Sequence, residues 1–245
     1  MRIIQHIFLY LTLEFQSTYT YTINFMIKIA VASNINFYKS TLPIVIPSLL
    51  ERGIEPNDIH VFIAGGHNYR YELTPDGLHF HYLSHNSYEY SPLIEIVEKE
   101  LVSEYWFLIH DTCKLGPKFK ELLYNIPENR PDKLALKSKP AMSMGTYKYS
   151  YLMTWKDKIM SIRNNDYSEQ AMNHWKYWGV PNEDWIMWMT GERPLIYNNN
   201  DGWVVVDNEN WYGTSTQRRT EYYYSLDLYK NKSNWGQKPI LTRDI

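Results

Sequence analysis

A chain of 245 residues, 44% hydrophobic and 21% charged, is long enough to bury a core that needs no metal or disulfide staple. Its one cysteine, Cys113, excludes an internal disulfide framework. Twenty-five basic residues against twenty-seven acidic ones leave a net charge of −2 with no block of like charge, which argues against a general nucleic-acid binder resting on phosphate neutralisation.

The N-terminal stretch Ile3 to Phe15 is apolar, and Arg2 precedes it. It is shorter than the roughly 20 residues that span a bilayer. Its length suits a signal-peptide core, but the QSTYTYT that follows has no small-x-small cleavage site. Residues 1–25 are therefore expected to be an extension or an extra edge element ahead of the first convincing strand. A signal or peripheral anchor remains the competing reading, and a cytoplasmic location is the expectation.

From Met26 onward apolar strands alternate with helices. Ile27–Ala32 (IKIAVA) is a continuous apolar run of the kind a parallel sheet buries. Ser40–Arg52 reads as a helix capped by Ser40, with Leu42, Val45, Leu49 and Leu50 on one side, a bend at Pro47, and Gly53 closing it. Ile59–Ala64 and Leu78–Leu83 are the next strands. Ser91 then caps a helix with Pro92 in its first position and a stripe of Leu93, Ile96, Val97 and Leu101. Tyr105–Ile109 is a fourth strand, running into His110-Asp111-Thr112. Gly116-Pro117 opens a short helix, and Lys133–Lys137 is a fifth strand.

After residue 140 the alternation stops. Helices are expected over Tyr151–Ile162 and Tyr167–Trp178, a turn over Asn198–Gly202, a short strand over Trp203–Val206, and a polar, aromatic tail from Trp211 to Trp235. Sixteen per cent of the chain is aromatic, and eight of the nine tryptophans follow residue 150. Rings of this kind suit sugar-binding clefts and ordinary cores alike. With no repeat and no linker, residues 26–140 and 141–245 are expected to be two halves of one α/β domain built on a mainly parallel, Rossmann-like sheet.

In such sheets ligands bind beyond the carboxyl ends of the strands. The residues there are Ser33, Asn34 and Asn36; Gly65, Gly66 and His67; Asn86; and His110, Asp111 and Thr112. The common catalytic and phosphate-binding patterns GxxxxGK[ST], GxGxxG, CxxC, HExxH and GxSxG are all missing from the sequence. Cys113 near His110 is a weak thiol–imidazole pair, because spacing at a strand end does not aim one side chain at the other.

The segment Ser84–Phe119 is the most informative. An N-terminal strand, an Asn-bearing turn before a helix, and an apolar strand ending in an acidic residue follow one another in order. Asp111 is followed by Pro117 and Phe119. Over residues 26–136 this order resembles the nucleotide-sugar glycosyltransferases of the A-type fold, whose strand-end motif is Asp-x-Asp. Here the third position is Cys113.

The resemblance implies transfer of a sugar from a nucleoside-diphosphate sugar to a glycan or other hydroxyl acceptor. It places the donor on Ser33, Asn34, Asn86, Asp111 and Thr112. Apart from the resemblance, Gly145 after the fifth strand is a candidate for admitting the sugar close to the backbone, or equally a bulge or turn, and Arg218-Arg219 a candidate clamp for the diphosphate, or a solvent-facing pair. The implied cation is Mg²⁺ or Mn²⁺ on Asp111, assisted by His110 or His174. A thiol suits those hard ions poorly, so Cys113 puts that site in question. The alternative is that Asp111 binds a ribose hydroxyl while Arg218, Arg219 or Lys230 replaces the metal.

Asp184, with Glu183 beside it, resembles the base of inverting members, and Trp185 and Trp188 are candidates for stacking on the acceptor. Against this, acidic residues favour helix N-termini through the dipole alone, and tryptophans at helical spacing are often core. Asp111 can equally be a cap. Two rivals remain at this point: a non-catalytic carbohydrate-binding protein on the same scaffold, and a nucleotidyltransferase.

Overall fold

The computed structural model describes residues 26–138, 141, 143–165, 185–210 and 217–232, with the backbone alone at 207–210, 217, 218 and 232. Its centre is an eight-stranded mixed sheet. In chain order the strands are β1 (Ile27–Asn34), β2 (Ile59–Ala64), β3 (Arg70–Leu73), β4 (His79–Tyr82), β5 (Tyr105–His110), β7 (Lys133–Ala135), β8 (Gly145–Lys148) and β9 (Leu195–Ile196). In space they lie β3-β4-β2-β1-β5-β8-β7-β9. β4, β2, β1 and β5 are mutually parallel. β3 is antiparallel at one edge, and β8 runs antiparallel between β5 and β7.

The apolar runs are buried on both faces because helices cover both. Ile27, Ile29 and Val31 of β1 point, with Tyr105, Phe107 and Ile109 of β5, into a core shared with Leu42, Val45 and Leu49 of α1 (Tyr38–Glu51) and with Phe119 and Leu123 of α3 (Phe119–Tyr124). The alternate residues Ala30, Phe62, Trp106 and Leu108 point the other way. They meet α2 (Ser91–Glu98), α4 (Tyr149–Thr154), α5 (Lys156–Met160) and the 3-10 turn Trp185–Trp188. This period of two, buried on each side, is why those strands read as unbroken hydrophobic runs.

A second, antiparallel sheet has the order β10-β11-β12-β6, from β6 (Cys113–Leu115), β10 (Trp203–Asn210), β11 (Gln217–Tyr223) and β12 (Leu228–Lys232). It packs on the α1 and α3 side of the large sheet through Cys113, Leu115, Tyr223 and Leu228. The second half of the chain thus completes the large sheet with β8 and β9 and builds most of the small one.

Several elements differ from the sequence reading. α1 begins at Tyr38, two residues before Ser40, whose hydroxyl donates back to the Phe37 carbonyl at 2.8 Å. Leu50 is exposed rather than part of the buried stripe. Ser91 lies inside α2, and its Oγ accepts the Ser87 N–H at 2.9 Å; no side chain caps that helix. The expected 151–162 helix is two short ones, α4 and α5, broken at Trp155. The fifth strand stops at Ala135. The polar tail contains two strands, β11 and β12, and the strand beginning at Trp203 runs to Asn210. β3 had no strand signal, since all four of its residues are exposed. The expected helix over Tyr167–Trp178 and the whole of residues 1–25 lie outside the described residues. No helix among the described residues is long and apolar enough to cross a membrane.

Candidate strand-end crevice

β2 and β4 lie to one side of β1, while β5 lies to the other. The winding of the sheet therefore reverses between β1 and β5, which is the place where a ligand crevice is expected in a sheet of this kind. Ser33 and Asn34 stand at the end of β1. At the end of β5 the ladder continues one step, with the Asp111 N–H donating to the Ala32 carbonyl at 3.0 Å.

Asp111 ties the two lips together. Its Oδ2 accepts hydrogen bonds from Ser33 Oγ at 2.5 Å and from Thr41 Oγ1 at 2.6 Å. Thr41 Oγ1 also lies 3.2 Å from the Phe37 carbonyl, but its one proton serves the shorter contact. Asp111 is 9% exposed. Burial pushes its pKa up, against the pull of the Ser33 and Thr41 hydroxyls and the Lys230 charge. Asp111 is thus held by a strand, a helix and a nearby cation.

The polar residues after β1, β2 and β4 converge on Gly65, whose φ of +88° suits glycine. A Cβ placed there would lie 3.4 Å from Asn34 Nδ2 and 3.7 Å from Asn86 Nδ2, so two carboxamides meet over it. Asn34 Oδ1 accepts the Asn36 N–H at 3.0 Å, shaping the turn into α1. Asn86 is pinned by Asn164: its N–H donates to the Asn164 carbonyl at 3.0 Å, and its carbonyl accepts from Asn164 Nδ2 at 3.2 Å. The rim of the crevice is therefore formed by half-buried Ser33, Asn34, Gly65, Asn86 and Thr112.

Behind Asp111 the small sheet supplies charge. Cys113, Lys230 and Glu221 stand opposite one another across β6, β12 and β11, so their side chains share the face turned inward. The Lys230 ammonium donates to Thr112 Oγ1. Glu221, fully buried, accepts from Tyr223 OH at 2.5 Å and from Arg219 Nε and Nη2 at 2.8 and 2.7 Å, with Lys137 Nζ at 3.8 Å. Lys137 also lies 3.8 Å from the centroid of the Trp203 ring.

The structure brings Ser33, Asn34, Asn86, Asp111 and Thr112 to the carboxyl end of the large sheet. Others it places elsewhere. Gly145 lies inside the sheet between Leu108 and Ala135, where a Cβ would meet the Leu134 carbonyl at 2.3 Å and Met187 Cε at 2.5 Å. Its lack of a side chain serves strand packing and opens no room for a sugar. Trp185 is 8% exposed, set edge-on to Tyr90 at 6.1 Å. It is a core residue without a face for stacking on an acceptor, and Trp188 packs against the same cluster. Arg219 is engaged with Glu221. The Arg218 side chain, His174, Glu183 and Asp184 lie outside the described residues.

Thr41 and Asn164 had no place among the sequence candidates. Thr41 and Ser48 sit seven residues apart on the buried stripe of α1, and both reach across. Thr41 donates to Asp111, while Ser48 Oγ accepts the Leu115 N–H at 2.8 Å. A hydroxyl on the apolar face of a helix was the signal available, because buried polar groups need partners. Asn164 carried no such signal.

The donor set fits the implied Mg²⁺ or Mn²⁺ poorly. Cys113 is buried in the core with Sγ 3.7 Å from Met144 Sδ, and burial pushes its thiol up to about 12. Neither a thiolate nor an open coordination position exists where the second acidic residue of the motif would stand. Among the described residues no group of three or more His, Cys, Asp or Glu is placed to hold a metal ion. Compared with known proteins, the chain matches no family model and no curated sequence.

Proposed function

We propose that the chain is a nucleotide-sugar glycosyltransferase whose donor occupies the crevice between β1 and β5. The observation that carries this is the hydrogen-bonded join of Ser33 and Asp111 at the point where the sheet order reverses. A nucleoside presents ring edges and ribose hydroxyls. The Asn34 and Asn86 carboxamides and the Asp111 carboxyl are groups that hydrogen-bond to both. The order of elements supports this reading: after β1, the turn at Asn86 precedes α2, and α2 is followed by β5 with Asp111 at its end.

In the proposed reaction an acceptor hydroxyl oxygen bonds to the anomeric carbon from the side opposite the leaving group. The bond from that carbon to the diphosphate oxygen breaks, and the diphosphate leaves with the electron pair. The hydroxyl proton passes to a carboxylate, for which Asp184 is our candidate, ahead of Glu183. One such displacement inverts the anomeric configuration.

The test is transfer and donor binding with variants that preserve shape. Asp111→Asn keeps an oxygen for the Ser33 and Thr41 hydroxyls, and is expected to fold and to bind donor about tenfold more weakly, the range for losing a charged hydrogen-bond partner. Full transfer with unchanged donor affinity would overturn the donor-site assignment. Asp184→Asn is expected to lower turnover by about 100-fold or more with donor affinity intact; wild-type turnover would remove it as the base.

A further inference from the structure

The charges gathered behind Asp111 bear on how a diphosphate would be held. Among the described residues, the junction of β5 with the small sheet collects Lys137, Arg219 and Lys230 around Glu221 and Asp111. The roles within this set differ. Arg219 forks onto Glu221, which also takes the Tyr223 hydroxyl. Lys137 lies between Glu221 and the Trp203 ring. Lys230 donates to Thr112 Oγ1 at the end of β5, and its charge reaches both Asp111 and Cys113.

Lys230 is 4% exposed. A charge this far from water interacts strongly with any anion brought beside it, since the surroundings screen it weakly. Its position is set by backbone pairing on both sides, to Cys113 of β6 and Glu221 of β11. The Asn231 N–H donates to the Thr112 carbonyl at 2.9 Å, which locks the strand to the loop that carries Asp111. The ammonium is thus fixed before any ligand arrives, as charge stabilisation of a leaving group requires.

We infer that the crevice binds a diphosphate without a divalent cation, and that the Lys230 ammonium, with the Thr112 hydroxyl beside it, meets the phosphate charge in its place. Cys113 in the core is then the counterpart of this arrangement: the position that would complete a metal site has become a packing residue against Met144. This builds on the proposed donor site and narrows it to a metal-independent one.

The experiment is calorimetric titration of the full chain with inorganic pyrophosphate and with UDP, GDP, CDP and dTDP, each in EDTA and in Mn²⁺. The wild type is compared with Lys230→Met and Lys230→Arg, with folding of each variant checked by its thermal melt. Diphosphates should bind equally with EDTA or Mn²⁺. Lys230→Met should weaken them roughly thirtyfold or more, in line with loss of a buried charge partner, while Lys230→Arg restores part of the affinity. Binding should also weaken with added salt.

Binding that requires Mn²⁺ and ignores Lys230→Met would overturn this inference and leave the donor site standing. Absence of binding by pyrophosphate and every nucleotide, in either condition, would overturn the donor site and this inference together. Should Lys230→Met fail to fold, wild-type binding in EDTA against Mn²⁺ decides by itself: dependence on Mn²⁺ overturns the inference, and indifference to it sustains it.

Discussion

Gly145 shows how a single position can mislead a motif-led reading. Its place after a strand suggested room for a ligand, yet the space in question is taken by the Leu134 carbonyl and Met187 Cε. The φ of +153° adds backbone strain for any side chain. Gly145→Ala is therefore expected to destabilise the fold by about 3 kcal/mol, the upper range for overpacking a filled site, read as a lower urea midpoint with an unchanged slope. A neutral effect would show that the β7–β8 contact can yield. Asp111 is the opposite case. It was a candidate by its place at a strand end, and its surroundings bind it to β1 and α1 at once, so it closes the fold there.

Among the elements, the β11–β12 turn decides where Lys230 stands. Asp227 has φ +50°, and its carboxylate accepts from Tyr222 OH at 2.8 Å and from the Lys118 N–H at 2.9 Å. Its carbonyl accepts the Gly116 N–H at 2.7 Å. A Cβ at Gly116 would lie 2.2 Å from that carboxylate, so glycine there allows the turn to seat against the β6–α3 loop. Asp227→Ala removes both side-chain bonds and is expected to cost about 2 kcal/mol. Hydrogen exchange should then quicken in β11 and β12 while β1, β2 and β5 keep their protection. Equal loss of protection across both sheets would show that the small sheet is not a separable unit.

At the level of the whole molecule, buried imidazoles set the response to acid. Burial, with His79, His81 and Lys28 nearby, lowers His60 to about 2. Burial lowers His81 to about 4, and burial with Arg163 lowers His85 to about 4. These three are neutral in the fold. Above an ordinary histidine pKa of about 6.5 neither state takes up protons there, and as pH falls below it the unfolded chain alone does, so stability is lost.

Glu95 acts in the other direction. Burial and Glu98 raise it to about 7, against Lys99 and Arg163. Its contribution is complete below an ordinary glutamate pKa and is lost as pH rises through about 7. His85 Nε2 lies 4.0 Å from Glu95 Oε2, and between about pH 4 and 7 that is a contact of neutral groups rather than an ion pair. The lowered imidazoles of His60, His79, His81 and His85 outnumber the raised carboxyls of Glu95 and Asp111, so stability is expected to fall from pH 6.5 toward 5. Urea unfolding across that range measures it, with His81→Phe expected to lower the slope by about one proton and Glu95→Gln to raise stability above pH 7. A flat profile in the wild type would contradict the burial of these rings.

Much of the large sheet was legible along the chain. IKIAVA, IHVFIA and YWFLI are β1, β2 and β5 within one or two residues, because a strand buried on both faces carries its own signature. Strand ends then singled out Ser33, Asn34, Asn86 and Asp111 as candidates, and the fold gathers them at one end of the sheet. What the sequence did not carry depended on partners distant in the chain. β11 and β12 are polar strands whose pairing, rather than composition, makes them strands, and so Lys230 could be named as a cation but not placed behind Asp111. The antiparallel entry of β8 between β5 and β7 filled the space at Gly145, and the packing of Tyr90 buried Trp185. Periodicity and end signals are local and survive in a one-dimensional reading, whereas register, burial and the meeting of charges arise only when segments a hundred residues apart are brought into contact.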